Sequence, residues 1–239
     1  MTDHITESSP LIVARIAGIL YLLMAPFGVF GILYVRANLI VPGDAATTAN
    51  NIMASEALFR SGIVSALITQ IIFILLVLFL YRLLKPVNRN HALLMVVLAL
   101  VGIPIAMLNE LNQFAALHLL SGADYLTAFD TDQLHTQVLF FLNLHSDGIL
   151  IAQIFWGLWL LPLGYLVFKS GFLPKILGIL LIIGGFGYLT DSFALILFPG
   201  FKPIAQYTFI GELLLPLWLL IKGVNVEQWH KRNMEILAG

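Results

Sequence analysis

A chain of 239 residues that is 60% hydrophobic and only 10% charged has more apolar surface than a soluble core of that length can hide, because soluble domains carry about 25% charged residues. Its composition calls for lipid as solvent. The net charge of −1, without a basic patch, argues against a nucleic-acid surface, and the absence of cysteine excludes disulfides, thiolate nucleophiles and Cys-ligated zinc or iron–sulfur sites.

The N-terminal stretch has acidic first residues, an apolar run too long for a signal-peptide core and no clean cleavage motif. It reads as a retained first span, with Ser9 as helix cap and Pro10 in the first turn. Counting about 20 apolar residues per crossing, six segments qualify: 10–35, 58–83, 92–120, 138–168, 175–198 and 207–222. The third and fourth are long enough to tilt or to project beyond the bilayer. The uninterrupted apolar runs suit helices rather than barrel strands. The expected fold is therefore an all-α, polytopic transmembrane helical bundle of about six spans, forming one integral membrane domain over 1–239. The tail from Asn225 is expected either to lie on the membrane surface with Trp229 at headgroup level or to be a solvated end.

Lysines and arginines orient the spans. Arg82, Lys85 and Arg89 follow span two, Lys169 and Lys175 flank the connection after span four, and Lys222, Lys231 and Arg232 follow span six. The opposite connections carry Asp44, Glu56, Asp124, Asp130 and Asp132, with Arg36, Lys202 and Arg60 as their few cations. Both termini are thus expected in the cytoplasm.

Within that frame, ionisable groups recur at one depth, in the outer half of the spans. Arg60 belongs to span two, Glu110 with Asn109, Asn112 and Gln113 to span three, and His145, Ser146 and Asp147 to span four. Asp191 lies in span five and Glu212 in span six. A charge at the centre of a membrane helix costs about 2.5–3.5 kcal/mol on insertion scales, so such groups face a partner or water. The economical arrangement is a shared polar pocket open to the outer side, with Arg60 neutralising one acid. At about 100° per residue, His145 and Asp147 point roughly 200° apart and cannot share a narrow face.

Simpler readings stand beside this one. A structural ion pair accounts for Arg60 and one carboxylate, and a helix–helix hydrogen bond accounts for His145. Glu110 and Glu212 are shallow enough to snorkel. His91, His118 and His230 read as interfacial, and His4 as part of a loose tail. Gly178, Gly184, Gly185 and Gly187 suit close helix packing, and Pro26, Pro104, Pro162 and Pro216 suit kinks.

The segments "LFRSGIVS" (Leu58–Ser65), "IFWGLWLLPLGYLVFKSGFLPKILGILLIIGGFGYLTDSF" (Ile154–Phe193) and "GELLLPLWLLIKG" (Gly211–Gly223) resemble a bacterial membrane family described as domain of unknown function 4386. The resemblance implies a multi-span bacterial inner-membrane protein and supplies no activity, substrate or cofactor. Three functional readings follow. The first is small-molecule binding or transport at the polar pocket. The second is a non-enzymatic scaffold, sensor or subunit with a membrane-protein partner. The third is an intramembrane hydrolase using a metal or an acid–base pair, with His145 and the acids as ligands and Ser146 as nucleophile. The chain lacks His-Glu-x-x-His, His-x-x-x-His, Gly-x-Ser-x-Gly, phosphate-loop and dinucleotide motifs, so no catalytic residue, metal site or cofactor is assigned.

Overall fold

The computed structural model describes residues 9–198 and 200–238; His4 lies outside them. In chain order, helix α1 (Pro10–Gly28) runs through a π-helical turn (Val29–Tyr34) into α2 (Val35–Leu39). Then come α3 (Ala45–Ala54), α4 (Glu56–Leu84), α5 (Arg89–Asn109), α6 (Leu111–Leu119), a 3₁₀ turn (Asp124–Ala128) and α7 (Thr131–Lys169). The chain ends with α8 (Lys175–Leu197), α9 (Ala205–Thr208), α10 (Ile210–Ile221) and α11 (Val226–Ala238). The fold class is the expected all-α polytopic helical bundle.

Among the described residues, five helical stretches are long and apolar enough to cross a membrane: Pro10–Leu39, Glu56–Leu84, Arg89–Leu119, Thr131–Lys169 and Lys175–Leu197. A sixth is reached if Ala205–Ile221 and Val226–Glu235, bent by 102° at their junction, count as one. The first stretch extends beyond its apolar run to Leu39, which carries Arg36 into the helix. Pro26 stands just before the π-helical turn, and Pro104 precedes the break at Glu110.

The chain divides into two compact units. One comprises 1–23, 72–102 and 153–239, and the other 24–71 and 103–152.

In the first unit, α7 and α8 meet along four glycines. A Cβ on Gly157 would stand 2.7 Å from the Gly185 carbonyl oxygen, and one on Gly164 would stand 2.6 Å from that of Gly178. The pairs repeat every seven residues on each helix, so the backbones touch over two turns. Close approach of this kind is how helices gain packing energy in lipid, where no hydrophobic effect drives them together. The Trp159 ring packs edge-on to Phe73 at 4.8 Å and tilted against Tyr21 at 6.0 Å. The tail is helical, not a loose end, and Trp229 is not at headgroup level. Asn225 caps α11 by accepting from the Gln228 N–H, and Trp229 is buried, its indole N–H donating to the Leu83 carbonyl at 2.8 Å. A hydrogen-bonded indole in protein satisfies the polar tip that would otherwise seek the headgroup layer.

The second unit packs Val35, Leu39, Ile52, Phe59, Ile63, Ala116, Leu117, Val138 and Leu142 into one core. The helices that hold Gly31 and Gly62 cross closely enough that a Cβ on Gly31 would stand 2.8 Å from the Gly62 carbonyl. Nearby, the Ser65 hydroxyl donates to the Phe27 carbonyl at 2.8 Å. Asp44 caps α3, accepting from the Thr47 N–H at 2.9 Å and its hydroxyl at 2.7 Å. These two bonds hold the Asp44 carboxyl below the usual aspartate range.

Candidate functional site

The second unit gathers most of the polar residues singled out in the sequence. Asn109 ends α5, Glu110 occupies the break, and Gln113 lies one turn into α6. At the break the Glu110 N–H turns back to the Met107 carbonyl, while the Glu110 carbonyl receives the N–H groups of Gln113 and Phe114. This tight turn sets the Glu110 side chain opposite α7, which supplies His145 and Ser146. Arg36 comes from α2, just past the π-helical turn. Asn109, Glu110, Gln113 and His145 are all buried.

The hydrogen bonds form one connected line. Arg36 reaches His145 Nδ1 at 3.2 Å and the Ser146 hydroxyl at 2.7 Å. His145 Nε2 lies 3.1 Å from Glu110 Oε1, and the Gln113 amide donates to Glu110 Oε2 at 2.6 Å. Asn109 donates to the His145 carbonyl at 2.8 Å and its Oδ1 accepts from Asn112 at 2.9 Å. Guanidinium has donors only, so His145 Nδ1 must accept and the ring proton must sit on Nε2, directed at Glu110. The Gln113 amide nitrogen, 3.1 Å from the same Nε2, is then a second donor converging on one carboxylate. A guanidinium, an imidazole and a carboxylate therefore stand in series, with one positive and one negative end. Gly148 makes this possible on α7, because a Cβ there would overlap the Asn109 amide oxygen. The polar "HSDG" opening of that span thus supplies an imidazole, a hydroxyl and the space for an asparagine.

Such a line can hold a proton at the imidazole between its charged ends, or present a guanidinium and a carboxylate to a solute that displaces the ring. Its donor set suits a metal poorly. Among the described residues no three His, Asp or Glu side chains stand together, and a structural or catalytic zinc site takes at least three such ligands here, where cysteine is absent.

The remaining candidates make other contacts. Arg60 is exposed and pairs with Glu56 one turn away at 2.6 Å. The pair lines a separate cavity of about 330 Å³ with Ile52, Met53, Leu117, Leu120 and Ser121. Asp147 is exposed on the far side of α7 from His145, as the helical rotation requires. Asp191 and Glu212 belong to the first unit. Asp191 is buried, and its two oxygens accept the N–H groups of Ile204 and Ala205 at 2.7 and 2.8 Å, capping the start of α9. Glu212 accepts from the Tyr21 hydroxyl at 2.9 Å. Among the described residues Glu212 Oε1 has no hydrogen-bond partner.

Arg36 is the residue that sequence reasoning assigned to a connection. The available signal was the unbroken helix-compatible run "YVRANL" after the apolar stretch, which has neither glycine nor proline to end the helix before Pro42.

A family model described as domain of unknown function (DUF4386) matches residues 16–223. The chain belongs to the DUF4386 family. Over 150 residues the chain is 35% identical to an uncharacterized protein of Archaeoglobus fulgidus, covering 62% of this chain and 75% of that protein. No solved structure matches the chain. Neither comparison attaches an activity to DUF4386.

Proposed function

We propose that the chain is a multi-pass protein of the cell inner membrane that binds or carries a small polar molecule at the Arg36–His145–Glu110 line. Both termini face the cytoplasm in this reading, supported by the lysine and arginine bias of the connections. The observation that carries it is an arginine, a histidine and a glutamate hydrogen-bonded in series, on stretches apolar enough to cross a membrane. Ionisable groups inside membrane helices mark solute and proton paths more often than other positions do. The π-helical turn beside Arg36 and the break at Glu110 add two irregular backbone segments next to the line, and π-helical turns are frequent at functional sites.

The test uses purified protein and a panel of amino acids, monocarboxylates and sugars, read as melting shifts and as lumenal pH in proteoliposomes. At least one class shifts wild type, and the shift disappears in Glu110→Gln and His145→Gln while both variants stay folded. No shift in wild type, or equal shifts in the variants, overturns the reading.

One observation favours the scaffold reading as the alternative. Both oxygens of Glu110 and both ring nitrogens of His145 already have partners within the protein, as a purely structural clamp requires. In that case the same variants melt lower and no compound shifts any of them.

A further inference from the structure

We infer that the first unit carries a binding site for the phosphate headgroup of an anionic phospholipid, formed by Lys169, Lys175 and Arg232. The α7–α8 connection turns sharply at Gly171, whose φ of 76° suits glycine, and brings two lysines over one ring. The Lys169 and Lys175 ammonium groups stand 6.0 and 5.7 Å from the centroid of Phe168. Arg232 of α11 donates to the Lys169 carbonyl at 3.4 Å, adding its guanidinium beside them. Glu235 takes the other side of that guanidinium at 3.2 Å. Three cations and one carboxylate leave two positive charges, all exposed.

The apolar half of the site continues from the same point. Beginning one residue after Lys175, the side chains of Ile176, Ile179, Ile183 and Phe186 are 56%, 40%, 46% and 58% exposed. Their spacing of three, four and three places them on one helix face. A continuous exposed apolar face that ends in cations matches the two parts of a phospholipid, acyl chain and phosphate. Basic clusters at the ends of membrane helices attract anionic headgroups. The ring beneath the ammonium groups adds a rigid apolar floor that favours them.

Native mass spectrometry in neutral detergent tests the site, with phosphatidylglycerol, cardiolipin and phosphatidylcholine as probes. Wild type retains the anionic lipids at least threefold over phosphatidylcholine. Lys169→Gln with Lys175→Gln removes that preference, while Arg82→Gln with Arg89→Gln, which removes the same charge, keeps it. Equal retention of all three lipids by wild type overturns the site, as does an equal loss in the control pair, which would mean diffuse attraction. Should the first pair fail to fold, phosphatidylglycerol with a photoreactive acyl chain is applied to wild type. Labelling concentrated on 176–186 supports the site, and labelling spread across the spans overturns it.

Discussion

At the residue scale, His145 carries a prediction that does not depend on function. Arg36 cannot accept a hydrogen bond, so the imidazole must hold its proton on Nε2. Nitrogen NMR of protein labelled at histidine should show an unprotonated Nδ1 for His145. Arg36→Gln should release that constraint and let the other tautomer appear. A protonated Nδ1 in the wild type would contradict the geometry. Glu110→Gln leaves one of two converging donors facing an amide NH₂ and leaves Arg36 without its counter-charge. Leaving a buried donor without its acceptor costs about 1–3 kcal/mol, so thermal unfolding should show a drop in melting temperature.

Asp191 shows how a carboxylate that is conspicuous in sequence can have both oxygens taken up by backbone in the fold. Apolar neighbours made its charge conspicuous, yet both oxygens are used on backbone N–H groups thirteen and fourteen residues away. Asn in its place keeps one acceptor and turns an amide NH₂ toward the other N–H. That is expected to lower stability by about 1–3 kcal/mol, without altering any ligand shift carried by the Arg36 line. The partnership was not legible in sequence, because it depends on how the chain returns after α8. The carboxylates were recognisable as buried groups needing partners; which partner each one has is decided by helix rotation and loop geometry. Arg36 and Arg60 illustrate the limit, since both stand near the polar end of apolar runs and only the fold separates a half-buried link from an exposed i,i+4 pair.

At the element scale, the α7–α8 contact rests on absent side chains. Gly164→Leu would put a Cβ within 2.6 Å of a carbonyl oxygen, and backbone cannot yield as a flexible side chain does. Overpacking of this kind costs typically about 1–3 kcal/mol, and the same substitution at Gly28, where a Cβ would meet only the Thr69 methyl at 3.9 Å, should cost less, as compared by unfolding in a mild denaturing detergent. The sequence already marked Gly178 and Gly185 as packing positions, but their partners Gly157 and Gly164 emerge only when the two helices are set antiparallel. The cap of α3 adds a pH dependence. The folded Asp44 carboxyl titrates below its unfolded value, so its stabilisation is present above the unfolded pKa and fades as pH falls through the folded one. Carboxyl NMR should find Asp44 titrating below ordinary aspartates, and Thr47→Ala should move it back up.

At the scale of the whole molecule, hydropathy made the spans legible because the requirement to bury every backbone polar group leaves helices as the solution for apolar runs of this length. Orientation rests on a separate argument, the uneven distribution of cations. Arg82, Lys85 and Arg89 cluster in one connection, Lys169 and Lys175 in another, and Lys222, Lys231 and Arg232 near the C-terminal helix. The acidic connection around Asp124, Asp130 and Asp132 carries no lysine or arginine. Because the chain has no native cysteine, single cysteines report position without background. Asn90→Cys, Gln228→Cys and Ala128→Cys all fall at exposed positions. In intact cells with the outer barrier removed, a membrane-impermeant maleimide should label the variant at 128 and spare those at 90 and 228 until the membrane is opened. Labelling at 90 and 228 before opening would invert the proposed orientation. It would also move the lysine and arginine headgroup site to the opposite leaflet, leaving the hydrogen-bonded line from Arg36 to Glu110 unchanged.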